Sequence, residues 1–175
     1  TARPPPGSTA PASGNRCVSG EMTMKILDVL QPEAILPELK SQTKPEVLEE
    51  LSAPVAQLAH IDPAALVRVL LERERLGSTG IGGGIGIPHG KLQNLNQLMI
   101  GFGLSRKGVD FESLDGAPTR LFFLLVTPEN STGLHLKLLA RISRILKNEP
   151  FKERLLQATS REQIYSVIKE EDEEF

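Results

Sequence analysis

The stretch Gly77-Ser-Thr-Gly-Ile-Gly-Gly-Gly-Ile-Gly-Ile-Pro-His-Gly-Lys-Leu92 holds one histidine, His89, behind a proline and in front of a glycine. Seven of its sixteen residues are glycine, so side chains do not crowd His89 and the backbone is free to take left-handed turns. Pro88 removes a donor, fixes its own φ and disfavours a helical conformation at Ile87. The imidazole is therefore expected at a strand end or tight turn, open to whatever approaches. That is how a nucleophile is presented to another protein. Neutral imidazole, with an ordinary pKa of about 6.5, is available for such attack near neutral pH. A histidine between Pro and Gly is also a poor packing residue, so a functional role is favoured over a structural one.

Upstream of this segment the pattern is helical. Lys25 to Leu30 reads as an irregular or short helical lead-in, and Ala34 to Leu36 as a brief strand. Thr43 starts a helix, with Pro45 in its first turn and Leu48, Leu51, Val55 and Leu58 at helical spacing. Asp62-Pro63 starts a second, which carries Leu66, Val69 and Leu70 and stops at Gly77. Downstream, Leu98–Leu104 and Leu121–Val126 read as strands, the latter apolar on both faces and therefore central. A helix with Leu138, Leu139, Ile142 and Ile145 inward follows from about Leu134, then two shorter helices at Phe151–Ala158 and Arg161–Glu170. The expected order is one strand, two helices, three strands and three helices. This is an α+β fold in three layers (α/β/α), a small mixed β-sheet with helices on both faces.

The composition limits the function. The 175 residues suit a single domain with a substantial core. Twenty Lys and Arg stand against 22 Asp and Glu, and a net charge of −2 gives no reason to expect nucleic acid or an anionic membrane as partner. The longest apolar run, Leu121 to Val126, is far too short for membrane insertion as a helix. A lone cysteine, Cys17, permits no intrachain disulfide and suits a cytoplasmic protein. The absence of Trp and the presence of one Tyr leave little for stacking on bases or sugars. Residues 1–23 are rich in Pro, Ala, Ser, Thr and Gly and are expected to be a disordered extension or a cloning remnant, with an organelle-transit segment as the alternative. Residues 24–170 then form the domain, and 171–175 a solvated acidic tail.

Common nucleotide motifs fail here. For a Walker A loop ending in Gly90-Lys91, Ile85 stands where the first glycine belongs and Leu92 where the metal-binding hydroxyl belongs. None of the Gly-x-Gly pairs is completed by a third glycine three residues on. No Gly-x-Ser-x-Gly elbow surrounds Ser78, because Leu76 replaces the first glycine. His60, His89 and His135 lack metal-ligand spacing, so no metal site and no cofactor are expected. His60 suits a cap or a surface position. From pattern alone, His135 reads as a satisfied histidine at a core edge and Arg73 as a basic residue at a solvated helix end. The sharper alternatives place His135 at an anion-favouring helix N-terminus and aim the Arg73 guanidinium at phosphoryl oxygens.

Arg73-Glu-Arg-Leu-Gly-Ser-Thr-Gly-Ile-Gly, followed by Gly-Ile-Pro-His-Gly-Lys-Leu92, resembles the active-site region of enzyme IIA proteins. These are the fructose/mannitol-type components of the bacterial phosphoenolpyruvate-dependent phosphotransferase system. Leu134-His-Leu-Lys-Leu-Leu-Ala140 resembles the same family's second histidine motif, and the likeness spans about Lys25 to Glu170. Gly-Ser-Thr-Gly-Ile-Gly and His-Gly-Lys-Leu are closer to the nitrogen-regulatory branch than to the transport branch. The resemblance implies that His89 accepts a phosphoryl group on Nε2 from phospho-HPr, supported by His135 and Arg73, with Ser78, Thr79, Gly80 and Gly90 around the substrate. It overrides the bland readings of His135 and Arg73. It also implies a recipient, either a regulatory target or the IIB domain of a fructose or hexitol uptake system; a module that docks on targets with phosphorylation as its switch is a further reading. The family usually has Asn where this chain has Gly83 and Ala where it has Gly86, and both changes are expected to loosen the loop.

Overall fold

The computed structural model describes residues 25–174. A 3-10 turn at Ile26–Asp28 leads into β1 (Leu30–Leu36), followed by α1 (Lys44–Ala59) and α2 (Pro63–Arg75). Five strands come next: β2 (Gly80–Gly82), β3 (Ile85–Gly86), β4 (His89–Leu92), β5 (Met99–Val109) and β6 (Thr119–Pro128). Three helices complete the chain, α3 (Thr132–Ile145), α4 (Glu149–Gln157) and α5 (Arg161–Glu174). The expected class and element order hold, but five strands rather than three lie between α2 and α3. β2 and β3 have only three and two residues, all Gly or Ile, too short to carry an alternating pattern.

The helix starts follow their capping chemistry. The Thr43 hydroxyl accepts from the Glu46 N–H, and the Asp62 carboxylate from the Ala64 N–H. Pro45 and Pro63 sit in the first turns, where a missing N–H costs nothing. His60 ends α1 in the left-handed conformation at φ +58°, which agrees with its expected cap or surface role.

The sheet is mixed, in the order β1-β5-β6-β3-β2, with β4 also on β6. β6 is central: β5 pairs with it antiparallel, while β3 and β4 run parallel along its other side. Leu121 through Val126 are all essentially inaccessible to solvent, so this run is apolar on both faces because both are covered. The register Ile85↔Leu121 and Gly86↔Phe122 continues unshifted as His89↔Leu125 and Gly90↔Val126. Ile87 and Pro88 interrupt this line along β6 without displacing it. Pro88 has no N–H to give, but its carbonyl accepts from the Leu125 N–H at 3.0 Å, which carries the chain across the break. α1 packs on β1 and β5 and α2 on β4, whereas α3, α4 and α5 cover β6, β5 and β1 from the other side.

The C-terminal expectation needs correction. Residues 171 and 172 are not a solvated tail: α5 continues through them and buries Glu171 and Asp172. Asp172 accepts from Arg141 Nε at 2.9 Å and from the Leu27 N–H at 3.1 Å, and Glu171 accepts from Asn148 Nδ2 at 2.7 Å. A run of acidic residues reads as solvated by composition, but a helix turns part of it inward, where cationic and amide partners satisfy it. The expected extension at residues 1–23 lies outside the described residues.

Gly82, Gly83 and Gly84 turn the β2–β3 hairpin with φ of +99°, +67° and +80°. The turn is anchored from outside. The Asp115 carboxylate accepts from the Gly83 N–H at 3.0 Å, from the Ala117 N–H and from the Ser113 hydroxyl. Those donors, Ala117 first, hold the Asp115 carboxyl below its ordinary pKa. Gly86 does not loosen the chain as expected. It is buried, and a Cβ there would stand 3.2 Å from Phe122 and Thr119, so its lack of a side chain permits close approach. Gly83 differs, because φ +67° is a conformation Asn tolerates and the nearest atom to a Cβ is Lys152 Nζ at 3.3 Å, the far end of a long side chain that is paired with Glu149. Gly83→Asn is expected to stabilise the fold by about 0.5 kcal/mol through reduced unfolded-state freedom. Gly82→Ala, at φ +99° and 3.2 Å from the Asp115 carboxylate, is expected to destabilise by about 1–3 kcal/mol. Chemical denaturation of the two variants checks both signs.

Candidate active site

His89 opens β4, half-buried, and both of its ring nitrogens have partners. Nδ1 lies 2.7 Å from the Ile87 carbonyl, and Arg73 Nε lies 3.3 Å from Nε2. A carbonyl only accepts and a guanidinium only donates, which assigns the ring proton to Nδ1 and the lone pair to Nε2. Arg73 sits in the last turn of α2 and also donates from Nη1 to the Gly77 carbonyl at 3.0 Å, just past the helix end. α2 reaches this position because Gly90 has no side chain. A Cβ there would be 2.7 Å from Val69 Cγ1. The glycine after the histidine thus sets how closely the arginine helix approaches the strand.

His135 comes from the first turn of α3 and is buried. Its ring centroid is 5.4 Å from that of His89, with the planes tilted by 58°. Nδ1 of His135 and the buried Thr127 hydroxyl are 2.7 Å apart. Lys91, two residues beyond His89 and so on the same side of β4, donates to the Thr132 hydroxyl at 3.0 Å and ties the strand to the start of α3. Burial pushes the His135 imidazole down to about 4, helped by the neighbouring His89 and Lys91 charges. His89 is also lowered, chiefly by burial. The Ile87 hydrogen bond opposes that shift, Arg73 adds to it, and Glu74 opposes it again. Both rings are therefore neutral at neutral pH.

The fold thus brings together His89, His135 and Arg73, the three residues expected to act in chemistry. The four expected around the substrate have structural contacts. Ser78 Oγ donates to the Phe111 carbonyl at 2.9 Å and accepts from the Gly80 N–H at 3.0 Å. Thr79 is buried, with its N–H and its hydroxyl both directed to the Glu74 carboxylate. Gly80 packs against Ser113, where a Cβ would come within 3.1 Å of backbone, and Gly90 packs against Val69. The N–H groups of Thr79 and Gly80 are therefore already engaged inside the protein and are not free for an anion. Sequence reasoning did not single out Glu74, Lys91 and Thr127. Lys91 was detectable from its two-residue offset to His89, whereas Glu74 was hidden in the charged run Glu72-Arg73-Glu74-Arg75, and nothing marked Thr127. Among the described residues no group of three or more His, Cys, Asp or Glu side chains is arranged to hold a metal. No helix of the described residues is long and apolar enough to cross a membrane.

Comparison with known proteins gives a consistent result. Residues 28–171 match the family "Phosphoenolpyruvate-dependent sugar phosphotransferase system, EIIA 2". A nitrogen regulatory protein of Bradyrhizobium diazoefficiens is 44% identical over 145 residues, covering 83% of this chain and 95% of the relative. The fructose-specific EIIABC component of Bacillus subtilis is 37% identical over 150 residues, covering 85% of this chain but only 24% of that longer protein. The crystal structure of the nitrogen regulatory protein IIA-Ntr from Neisseria meningitidis superposes with a TM-score of 0.76 at 30% identity, over 81% of this chain and 97% of that one. Fold and sequence likeness agree, and the chain belongs to the EIIA 2 family of the phosphoenolpyruvate-dependent sugar phosphotransferase system.

Proposed function

We propose that this chain is a cytoplasmic phosphoryl carrier of the nitrogen-regulatory type, which takes a phosphoryl group from the phosphohistidine of HPr onto Nε2 of His89. The observation that carries the proposal is the pairing of both His89 nitrogens, with the proton on the Ile87 carbonyl side and the lone pair under Arg73. Attack by that lone pair forms the new N–P bond as the donor's N–P bond breaks, and the electron pair returns to the donor imidazole. No proton has to move. Nδ1–H stays on the Ile87 carbonyl, whose dipole supports the positive charge the ring acquires. Arg73 Nε releases Nε2 and turns to the phosphoryl oxygens, a short movement for a planar fork of donors. Thr127 Oγ1 and Nδ1 of His135 share one hydrogen bond; in the tautomer that accepts from the hydroxyl, the proton of that neutral ring sits on Nε2 as a further donor. One preorganised donor of this kind is worth roughly 3–4 kcal/mol to a transition state in a favourable site.

Exposed apolar residues adjacent in sequence to the site residues suit a protein partner. Leu76 at the end of α2 is 84% exposed, and Leu136, beside His135, is 59% exposed. The nitrogen-regulatory assignment is supported by 44% identity that covers nearly the whole of a nitrogen regulatory relative. Donation to a IIB domain is the competing reading, favoured by the 37% identity to a fructose-specific component.

Incubation with phosphoenolpyruvate, enzyme I and HPr, followed by intact mass and peptide mapping, tests the carrier. The expected result is one acid-labile phosphoryl group on His89, absent without HPr and absent in folded His89→Ala. Label retained in that variant would overturn the assignment. A second prediction concerns pH. The folded-state pKa of His135, about 4, lies below the ordinary value of about 6.5. As pH falls from 6.5 toward 4, the unfolded chain takes up a proton that the folded chain refuses, so stability falls through that window and is intact above it. His135→Gln is expected to flatten this loss, read as the denaturation midpoint against pH.

A further inference from the structure

Two consecutive residues of α2 connect to the nucleophilic ring, one directly and one through the chain. Arg73 meets Nε2, while Glu74 is buried and bonds to Lys44 and Thr79. Its Oε1 accepts from Lys44 Nζ at 2.9 Å and from the Thr79 N–H at 3.1 Å, and its Oε2 accepts from the Thr79 hydroxyl. The Thr79 carbonyl accepts from the Ile87 N–H at 3.0 Å, and the Ile87 carbonyl accepts from His89 Nδ1 at 2.7 Å. An unbroken path therefore leads from a buried carboxylate to the proton of the active ring, through one residue on each side of the glycine hairpin.

The glycines between Thr79 and Ile87 give that hairpin no side-chain stiffness of its own, and three of them take positive φ. The position of the Ile87 carbonyl must therefore be fixed from its ends. One end is Thr79, and Glu74 grips it at two atoms. The charge on Glu74 is itself held in place by Lys44, which lies over the Phe111 ring at 4.8 Å and also reaches Glu112 at 3.3 Å. A carboxylate this buried is costly unless it is paired and hydrogen-bonded, and all three of its partners lie in α1 or in the loop it organises.

We propose that Glu74 is a positioning residue for His89: by clamping Thr79 at N–H and hydroxyl it fixes the Ile87 carbonyl, and through it the Nδ1–H tautomer that leaves the Nε2 lone pair outward. The role of this tautomer rests on the carrier function proposed above, but the clamp can be tested without it.

The experiment uses the full chain with Glu74→Gln, Thr79→Val and the double variant. Each is checked for folding by circular dichroism and thermal melting, and the tautomer of His89 is read from its ring 15N shifts. The wild type is expected to show a single Nδ1–H tautomer. Folded Glu74→Gln and folded Thr79→Val are both expected to show a mixture. Phosphoryl transfer from phospho-HPr should slow on the order of 10- to 100-fold, the scale for displaced supporting groups, with little change in the concentration of phospho-HPr at half-maximal rate. The double variant should be no worse than Glu74→Gln, because both changes cut one path. A folded Glu74→Gln with wild-type tautomer would overturn the proposal; should that variant not fold, Thr79→Val decides by the same reading. Failure of the wild type to accept phosphoryl from phospho-HPr would sink the carrier function and leave the tautomer result to judge Glu74.

Discussion

The hydrogen bond from His89 Nδ1 to the Ile87 carbonyl constrains much of what surrounds it. A histidine two residues past a carbonyl makes this contact only if the chain between them neither coils into helix nor swings freely. Pro88 supplies that stiffness. It fixes its own φ, and its carbonyl is held by the Leu125 N–H of the central strand. β4 can then continue in the register that β3 began, and the ring stands at the sheet edge with one nitrogen turned inward and one outward. The inward nitrogen is a matter of backbone placement; the outward one depends on how α2 and α3 approach β4. Gly90 admits α2, and the Lys91–Thr132 contact ties β4 to α3.

A phosphoryl carrier has to bind its cargo and release it, so the number of cations around His89 has to be small. Arg73 is one, and Lys91 is held on Thr132 beside it. Both imidazoles are neutral because burial penalises the charged form, and at His89 the opposing Ile87 hydrogen bond and Glu74 charge do not make up for it. The Glu74 charge acts on His89 upward, and that carboxylate is itself paired with Lys44. This balance suits reversible transfer. In the carrier proposed above, a protonated His135 would bind phosphoryl oxygens more tightly than a neutral one and slow their departure.

Much of this was legible in the sequence because the larger elements obey simple rules. Leu48, Leu51 and Val55, then Leu138, Ile142 and Ile145, recur at helical spacing and are buried, and Thr43 and Asp62 announce their helices by capping chemistry. The run Leu121 to Val126 declared a central strand by having no polar face. His89 stood out because a Pro-His-Gly step has little use in packing. The rest depended on tertiary placement. The strands of the glycine segment are visible only once β6 is there to pair with them. Ser78, Thr79, Gly80 and Gly90 lie near the site, but their contacts run inward to Phe111, Glu74, Ser113 and Val69. No local pattern distinguishes a hydroxyl that faces a substrate from one that braces a loop. Asp172 was misjudged for a related reason, since its partners Arg141 and Leu27 lie 31 and 145 residues away.

The departures at Gly83 and Gly86 show where the rigidity of the loop resides. If side chains stiffened it, two extra glycines would make a soft loop and a poorly aimed nucleophile. The hairpin is instead held by groups outside it: Asp115 on the Gly83 N–H, Glu74 on Thr79, and β6 along Ile85 and Gly86. None of these contacts uses a side chain of the glycine positions themselves. Substituting the glycines therefore changes the entropy of the unfolded chain and the local fit, whereas removing an outside anchor changes where the Ile87 carbonyl points. Stability and aim are separable in this loop, because the first is set along the backbone and the second at its two ends.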